Sequence, residues 1–174
     1  MVKRLILVLW LCLLVGCSSM HVTRGPLIEP NQTWAVVPFA NHTTTPMAGL
    51  NAAETTKQLI RAKAFGPMID YIPKRHSSKT LTPLETKPMS HRQMLRWAWR
   101  HKVRYVVTGT VTEWRYKSGI DGEPAVGLSI EVWDTLAEHV VWSAVGSSTG
   151  NSRDSLSYVS MRLIRRGVDK IHVS

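Results

Sequence analysis

Three stretches in the second half of the chain alternate apolar and polar residues, and this alternation limits the fold more than any other feature. Residues 105–114, 125–134 and 140–148 carry apolar side chains at every second position, the spacing of a β-strand with one buried face. Short turns at Asp121-Gly122 and near Ala137-Glu138 separate them, and Asp-Gly is a frequent hairpin pair. The pattern therefore predicts a meander of three antiparallel strands.

Helices and further strands precede and follow this meander. The predicted segments are a strand at residues 33–39, a helix at 48–64, a strand at 68–72, a helix after Ser90 and a last helix from Asn151 or Ser152. Ser90 and Gln93 have capping-box spacing, which stabilises a helix start. We therefore expect an α/β fold of order β-α-β-α-β-β-β-α, a mixed sheet with helices on one face.

The predicted sheet has two unlike faces. The helices are expected to cover Val126, Leu128, Ile130 and Val132. The opposite face carries Thr and Ser residues together with Trp114 and Trp133. Large aromatic side chains on an uncovered face typically mark a contact surface, so we expect a neighbouring subunit to bind there.

The N-terminal residues have the three parts of a secretory signal peptide. Lys3 and Arg4 form a basic start, and residues 5–16 carry no charge. As a helix this uncharged run would reach about 18 Å, against a hydrocarbon core of roughly 30 Å, so it is too short to span. We predict a signal peptide at residues 1–16, a lipidated tether at 17–32 and a single α/β domain at 33–174.

The residues around the predicted cleavage site, Leu14-Val15-Gly16-Cys17, resemble the lipobox of bacterial lipoproteins. The resemblance implies that Cys17 is acylated and becomes the N-terminus, and two or more acyl chains anchor a protein stably where one does not. Ser18 and Ser19 follow, and the absence of Asp after the cysteine resembles the signal for the outer membrane. The alternative is a chance cysteine in an ordinary signal peptide.

Charge and cysteine content exclude several classes of function. The full chain has a formal charge of +10, and cleavage before Cys17 removes two basic residues, which leaves +8. Cys12 is removed with the signal peptide and Cys17 becomes a thioether, so cysteine nucleophiles and cysteine metal sites are excluded. Export makes nucleic acid an unsuitable partner. The positive charge then faces lipid headgroups, lipopolysaccharide phosphates or an acidic protein, or is a solvated surface with no role.

Catalytic motifs are absent from the sequence. It has no Gly-rich phosphate loop, no Gly-x-Ser-x-Gly and no His-Glu-x-x-His, and its seven histidines are scattered. Asp121 and Glu123 are the only close carboxylates in a loop, with no general-acid partner nearby in sequence. We therefore expect no enzymatic activity, no metal and no cofactor.

Residues 105–117 and 119–127 resemble the PelC family, outer-membrane lipoproteins of the Pel exopolysaccharide export machinery. The most specific part is Glu-Trp-Arg-Tyr at 113–116 with Asp-Gly-Glu-Pro-Ala at 121–125. Residues 34–39, 141–144 and 150–154 also look like family segments. The likeness is weakest at residues 74–88.

The resemblance implies a fold related to the N-terminal domain of TolB and to the curli secretion lipoprotein. It also implies a dodecameric ring on the inner leaflet of the outer membrane, working with a β-barrel porin that has a tetratricopeptide region. In the family an aromatic belt meets the membrane, and acidic residues at the periplasmic opening guide a cationic amino-sugar polymer.

Particular residues take these roles by resemblance. Trp142 is matched to the membrane-facing belt, with a core tryptophan as the alternative. Asp121 and Glu123 are candidates for the lumen, where twelve copies would make a focused negative field. The alternatives are a solvated turn, or a structural clasp in which they pair with Arg115 and Lys117. Arg115, and likewise Tyr116, suits the subunit interface expected at Trp114 and Trp133.

Two functions are therefore predicted from the sequence. The first is a ring subunit that assists export of Pel polysaccharide in biofilm formation. The alternative is a monomeric periplasmic lipoprotein that activates a cell-envelope enzyme, for which a longer tether than residues 17–32 would be favourable.

Overall fold

Six strands and three helices make up the part of the chain that the computed structural model describes, residues 18–25, 27–72, 88–119 and 122–174. The strands are β1 (Ser18–Arg24), β2 (Trp34–Val36), β3 (Ala40–Asn41), β4 (Tyr105–Tyr116), β5 (Pro124–Asp134) and β6 (His139–Thr149). The helices are α1 (Ala48–Lys63), α2 (His91–Arg100) and α3 (Leu156–Val168). The predicted α/β class is confirmed.

The strands form one mixed sheet in the order β1-β6-β5-β4-β2, with β3 paired to β4 beyond β2. β4, β5 and β6 are the predicted antiparallel meander, and β2 and β3 run parallel to β4. The four apolar residues of β5 expected in the core, Val126, Leu128, Ile130 and Val132, are all buried. The alternation of apolar residues therefore predicted the central strands and their inner face correctly.

The N-terminal segment corrects the prediction of a tether over residues 17–32. Residues Ser18–Arg24 form β1, which pairs antiparallel with β6 from Ser18 against Ser148 to Arg24 against Trp142. Met20 and Val22 pack against the core, whereas Ser19, His21 and Thr23 are exposed. This short alternation is enough for an edge strand, because only one of its faces is buried.

A second correction concerns residues 68–72, which were predicted to be a strand. Met68 makes a single bridge to Trp34, and no named strand forms there. The backbone is held at two points, with Trp34 N–H donating to Pro67 O and Ile69 N–H to Trp34 O. β2 spans three residues, so it offers a following segment little length to pair with.

The helices lie on both faces of the sheet, not on one as predicted. α1 and α3 pack over a core that includes Val107, Leu128 and Ile130. Met94 and Ala98 of α2 pack on the opposite face, against the intervening residues Ala35, Val37 and Val106. The physical reason is that consecutive residues at 34–37 are all apolar, so a strand there must be buried on both sides.

Candidate functional site

Most of the predicted site residues that the structure describes lie at one end of the sheet, where β4 leads into β5. We call this the hairpin end and define it by residues 113–117, Glu123 and Ser18. Trp114 is paired with Val126, Val126 with Ser148, and Ser148 with Ser18. The residue that follows Cys17 is therefore at the same end as the predicted lumen turn. Cys17 and Asp121 themselves lie outside the described residues.

Two ion pairs organise the carboxylates of the hairpin end. Lys117 Nζ lies 3.7 Å from Glu123 Oε2, and the Lys117 N–H donates to the Glu123 carbonyl at 2.8 Å. Arg115 Nε lies 3.1 Å from Glu113 Oε1. Glu123 thus has the Lys117 partner that a structural clasp would require, whereas Arg115 is paired with Glu113. Glu123 and Lys117 are both partly exposed, so solvent screens their attraction.

Trp114 and Tyr116 are placed differently from each other. A β-bulge between Val111 and Glu113 inserts one extra residue into β4, and residues after a bulge point to the opposite face. Trp114 is consequently only 5% exposed and belongs to the core covered by α1 and α3. Its predicted position on the open face is wrong. Tyr116 is exposed, and its Oη accepts a hydrogen bond from the Leu156 N–H, which ties the hairpin to the start of α3.

An open cleft of about 460 Å³ lies beside these residues. It is lined by His42, Thr43, Thr44, Thr112, Glu113, Trp114 and Arg115. The loop after β3 that forms one wall is held by its own hydrogen bonds: Asn41 Oδ1 accepts from Thr43, and Asn41 Nδ2 donates to the Thr45 carbonyl. Thr45 Oγ1 in turn donates to the Trp114 carbonyl and joins this wall to β4.

The cleft offers hydroxyl, imidazole, carboxylate and guanidinium groups side by side. Such groups can donate and accept hydrogen bonds with a polar ligand. In the sequence, residues 41–46 have only the composition of a polar turn, and no local pattern distinguishes them from any other Asn- and Thr-rich turn. The bulge that brings β4 next to it also leaves no clear signal in the sequence.

Trp133 lies on the face that was expected to be open, but α2 shields it in part. Its Nε1 donates to Glu131 Oε2 at 2.9 Å, and its ring lies 4.6 Å from the His91 ring at the start of α2. It remains partly exposed. Trp133 is therefore a structural contact with α2 that still has surface for another molecule.

Trp142 is in the core, which is the alternative that the sequence left open for it. It is 4% exposed, lies opposite Val132 of β5 and packs in the cluster beneath α1 and α3. A second bulge, between Val132 and Trp133, sets this register. A side chain buried to this degree does not reach a bilayer from within the subunit described here.

Charged residues are paired also at the opposite end of the sheet. Arg104 lies 2.7 Å from Asp134 and 3.7 Å from Glu29. Burial is the largest single influence and disfavours the charged guanidinium, but the attractions of Asp134, Tyr105 and Glu29 together outweigh it, so the pKa of Arg104 is raised. This cluster holds the N-terminal segment, the start of β4 and the end of β5 together.

Neither a metal site nor a membrane-spanning helix is found in the part of the chain that is described. No three His, Cys, Asp or Glu side chains there are grouped to hold an ion. Likewise, none of its helices has the length and apolar character needed to cross a bilayer.

The fold is that of small α/β domains found among bacterial lipoproteins. The crystal structure of the lipoprotein GNA1162 from Neisseria meningitidis superposes with a TM-score of 0.57 at 16% identity, covering 80% of this chain and 97% of that one. At this identity the likeness concerns the fold alone. No family model matches the chain, and no curated protein matches it.

A closer likeness is found to a crystallised PelC dodecamer from Paraburkholderia phytofirmans. That structure is 35% identical to this chain, covers 91% of it and 100% of the PelC chain, and has a TM-score of 0.74. A variant of the same PelC, also a dodecamer, is 34% identical with the same coverage and TM-score. The chain belongs to the PelC family.

Proposed function

We propose that the chain is a subunit of an outer-membrane lipoprotein ring that assists export of Pel polysaccharide in biofilm formation. The observation that carries this proposal is the 35% identity, over 91% of the chain, to a protein that crystallised as a PelC dodecamer. The ring is proposed to have twelve subunits and to work with a β-barrel porin that has a tetratricopeptide region. The subunit acts by position and repetition, without making or breaking a bond.

The anchor is proposed to be Cys17, acylated on the periplasmic face of the outer membrane. β1 begins at Ser18, so no flexible segment separates an acylated Cys17 from the sheet. The hairpin end would then lie close to the bilayer. This geometry supports a ring held against the membrane, and it gives no support to the alternative of a monomeric activator, which needs a long tether to reach into the periplasm.

The polymer-guiding role is proposed for Asp121 and Glu123. Repetition around a ring would gather their carboxylates and favour a cationic amino-sugar chain even though each subunit is basic. Glu123 is paired with Lys117 in the subunit, which weakens its field but leaves it partly exposed. The subunit interface is proposed to use Arg115, Tyr116 and Trp133, each of which has accessible surface.

Native mass spectrometry of the acylated protein in mild detergent tests the ring. We expect a particle of twelve subunits, and a solitary subunit would contradict the proposal. Arg115→Ala is expected to lower the fraction of assembled particle at least several-fold. Arg165→Ala, which removes an exposed arginine from α3, is the matched control and is expected to assemble normally.

The guiding role is tested by separate substitutions of Glu123 and of Lys117, each of which removes one charge of the ion pair between them. Glu123→Gln, alone and combined with Asp121→Asn, is expected to reduce secreted polymer and biofilm. Lys117→Gln leaves the Glu123 carboxylate free and is expected to preserve or increase export. If the two single variants reduce export equally and lower stability equally, the pair is a structural clasp and guides nothing.

A further inference from the structure

The outer side of α2 is basic and exposed to solvent. The helix contains no acidic residue, and its inward side is formed by Met94 and Ala98. Arg92, Arg96 and Arg100 are exposed and recur every fourth position, so they form one stripe along the outer side. Trp99 adjoins that stripe, since residues three apart are neighbours on a helix. We call these four residues the arginine face.

Trp99 is the large aromatic side chain with the most exposure among the described residues, at 78%. Trp97, two residues earlier on α2, is placed differently. Trp97 packs against Tyr71 with ring centroids 5.1 Å apart. The helix therefore has a partner for one tryptophan within the subunit and presents the other to solvent. Exposed tryptophan and arginine are the residues most enriched at the energetic centres of protein interfaces.

The arginine face also differs electrostatically from the helix on the other side of the sheet. On α1, Lys57, Arg61 and Lys63 are ion-paired with Glu54, Asp70 and Asp169. Within the described residues, no ion pair is formed by any of the three arginines of the arginine face. Three guanidinium groups that have no ion-pair partner among the described residues, beside an exposed indole, complement a negatively charged partner.

The position of α2 distinguishes between a lipid and a protein as that partner. α2 packs over Ala35 and Val106, next to the start of β4. When the strand register is followed across the sheet, this part of β4 lies nearer to Arg24 at the end of β1 than to Ser18 at its start. β1 spans about 20 Å from Ser18 to Arg24 at roughly 3.3 Å per residue. An anchor at Cys17 would thus hold the Ser18 end of the sheet at the membrane. α2 lies at the other end of the sheet, away from the membrane.

We propose that the arginine face of α2 is a docking surface for an acidic segment of a different periplasmic protein. The compartment and the distance from the anchor in this statement rest on the proposed function. The contact itself rests on the exposed Trp99 and on the arginines that lack ion pairs in the described chain. The acidic segment would place carboxylates along the arginine stripe and an apolar side chain against the indole.

Site-specific photocrosslinking in the producing cell tests the proposal. Trp99 of the full chain is replaced by p-benzoylphenylalanine, and the crosslinked peptide is identified by mass spectrometry. We expect an acidic peptide of another protein, and we expect Arg96→Glu with Arg100→Glu to reduce that adduct at least tenfold. Tyr158, an exposed aromatic on α3, is the matched control position and is expected not to yield this adduct.

Three other results would overturn the proposal. They are an adduct with a second copy of this chain, an adduct that charge reversal leaves unchanged, and no adduct. A membrane role is tested with vesicles of phosphatidylglycerol and the chain from Ser18 onward, which contains every described strand and helix. Sedimentation with these vesicles that Trp99→Ala abolishes would assign the face to lipid instead.

Native mass spectrometry of the charge-reversed protein separates this proposal from the ring. If the ring forms normally while the adduct is lost, both proposals stand. If the ring is absent from unaltered protein but the acidic adduct forms, the proposed function fails and the docking surface stands.

Discussion

Trp142 illustrates how one residue can be read in two ways from its sequence. In an alternating strand, a tryptophan between Val140 and Ala144 fits either face, and only the register to β5 decides between them. The bulge after Val132 puts Trp142 opposite that valine and into the core. Its Nε1 has no hydrogen-bond partner in the described structure, so the side chain contributes through its apolar surface.

Replacing Trp142 should therefore weaken the fold. We expect Trp142→Ala to lower the free energy of unfolding by about 3–5 kcal/mol, because it leaves a large cavity. Trp142→Phe should retain more of the free energy of unfolding, since the indole N–H that it removes makes no hydrogen bond in the described structure. Trp99→Ala, at an exposed position, should change it by less than about 0.5 kcal/mol. Urea unfolding measures all three, and a Trp142→Ala protein of unchanged stability would show that the core assignment is wrong.

Asp70 provides a pH-dependent contact between α1 and the segment after it. Its carboxylate lies 2.7 Å from Arg61 and 3.5 Å from Lys57. The hydrogen bond from Arg61 holds the pKa of Asp70 below its ordinary value. A carboxyl group with a lowered folded-state pKa stabilises the fold above its unfolded-state pKa, and this contribution is lost as pH falls through the folded value.

We expect Asp70→Asn to cost less than about 1 kcal/mol near neutral pH, because the pair is exposed to solvent. The difference from the unaltered protein should shrink as pH falls below the ordinary aspartate pKa of about 3.9 and disappear once pH is below the lowered folded-state pKa, where the carboxyl group is protonated in both states. Urea unfolding across this pH range measures it. A deficit that persists in acid would mean that Asp70 acts through packing rather than through charge.

Which side chains are buried was largely predictable, and the exceptions have one cause. Val126, Leu128, Ile130 and Val132 follow simple alternation, and all four are buried. Trp114 does not, because the bulge after Val111 reverses every side chain beyond it. A bulge adds one residue to one strand and is decided by pairing with the neighbour, which a single strand's sequence does not reveal.

At the scale of elements, α2 was the helix with the clearest local signal. Ser90 Oγ accepts from the Gln93 N–H, and Gln93 Oε1 accepts from the Ser90 N–H, which completes the predicted capping box. The face of the sheet against which this helix packs was not predictable from its own sequence. It is set by the apolar residues at 34–37, which require cover on both sides.

Ser90→Ala should lower the free energy of unfolding by about 1 kcal/mol, since it removes the N-cap acceptor. Ser90→Asp should retain stability, because aspartate is an equally good N-cap residue and places a negative charge at the positive end of the helix. Circular dichroism with chemical denaturation compares the two. If both substitutions cost the same, the cap does not contribute as described.

At the scale of the whole molecule, the start of β1 at Ser18, directly after the proposed anchor Cys17, has a testable effect. Inserting about ten Gly and Ser residues between Cys17 and Ser18 would let the domain move away from the membrane by roughly 17 Å. The fold should be unaffected, because the insertion precedes β1. We expect polymer export to fall, and cell-surface polymer staining with an immunoblot for protein level measures this. Normal export with the insertion would show that close attachment is unnecessary.

The cleft at the hairpin end is the part of the candidate site that is least predictable from the sequence. The likeness at residues 105–127 led to the PelC family, which the 35% identity shows. The cleft combines a loop after β3 with a bulged part of β4, which are about 70 residues apart in the chain. Contacts over such separations follow from the pairing of whole strands, and no local pattern encodes them.

β1 closes the sheet against a strand far along the chain. It pairs with β6, and Ile28 shortly after it forms a bridge to Val173. β1 therefore has no partner until β6, more than 100 residues further along, has been synthesised, and contacts between such distant residues form slowly. An enzyme that acylates Cys17, as proposed above, would consequently meet Ser18–Arg24 before they pair with β6, and that pairing would end its access.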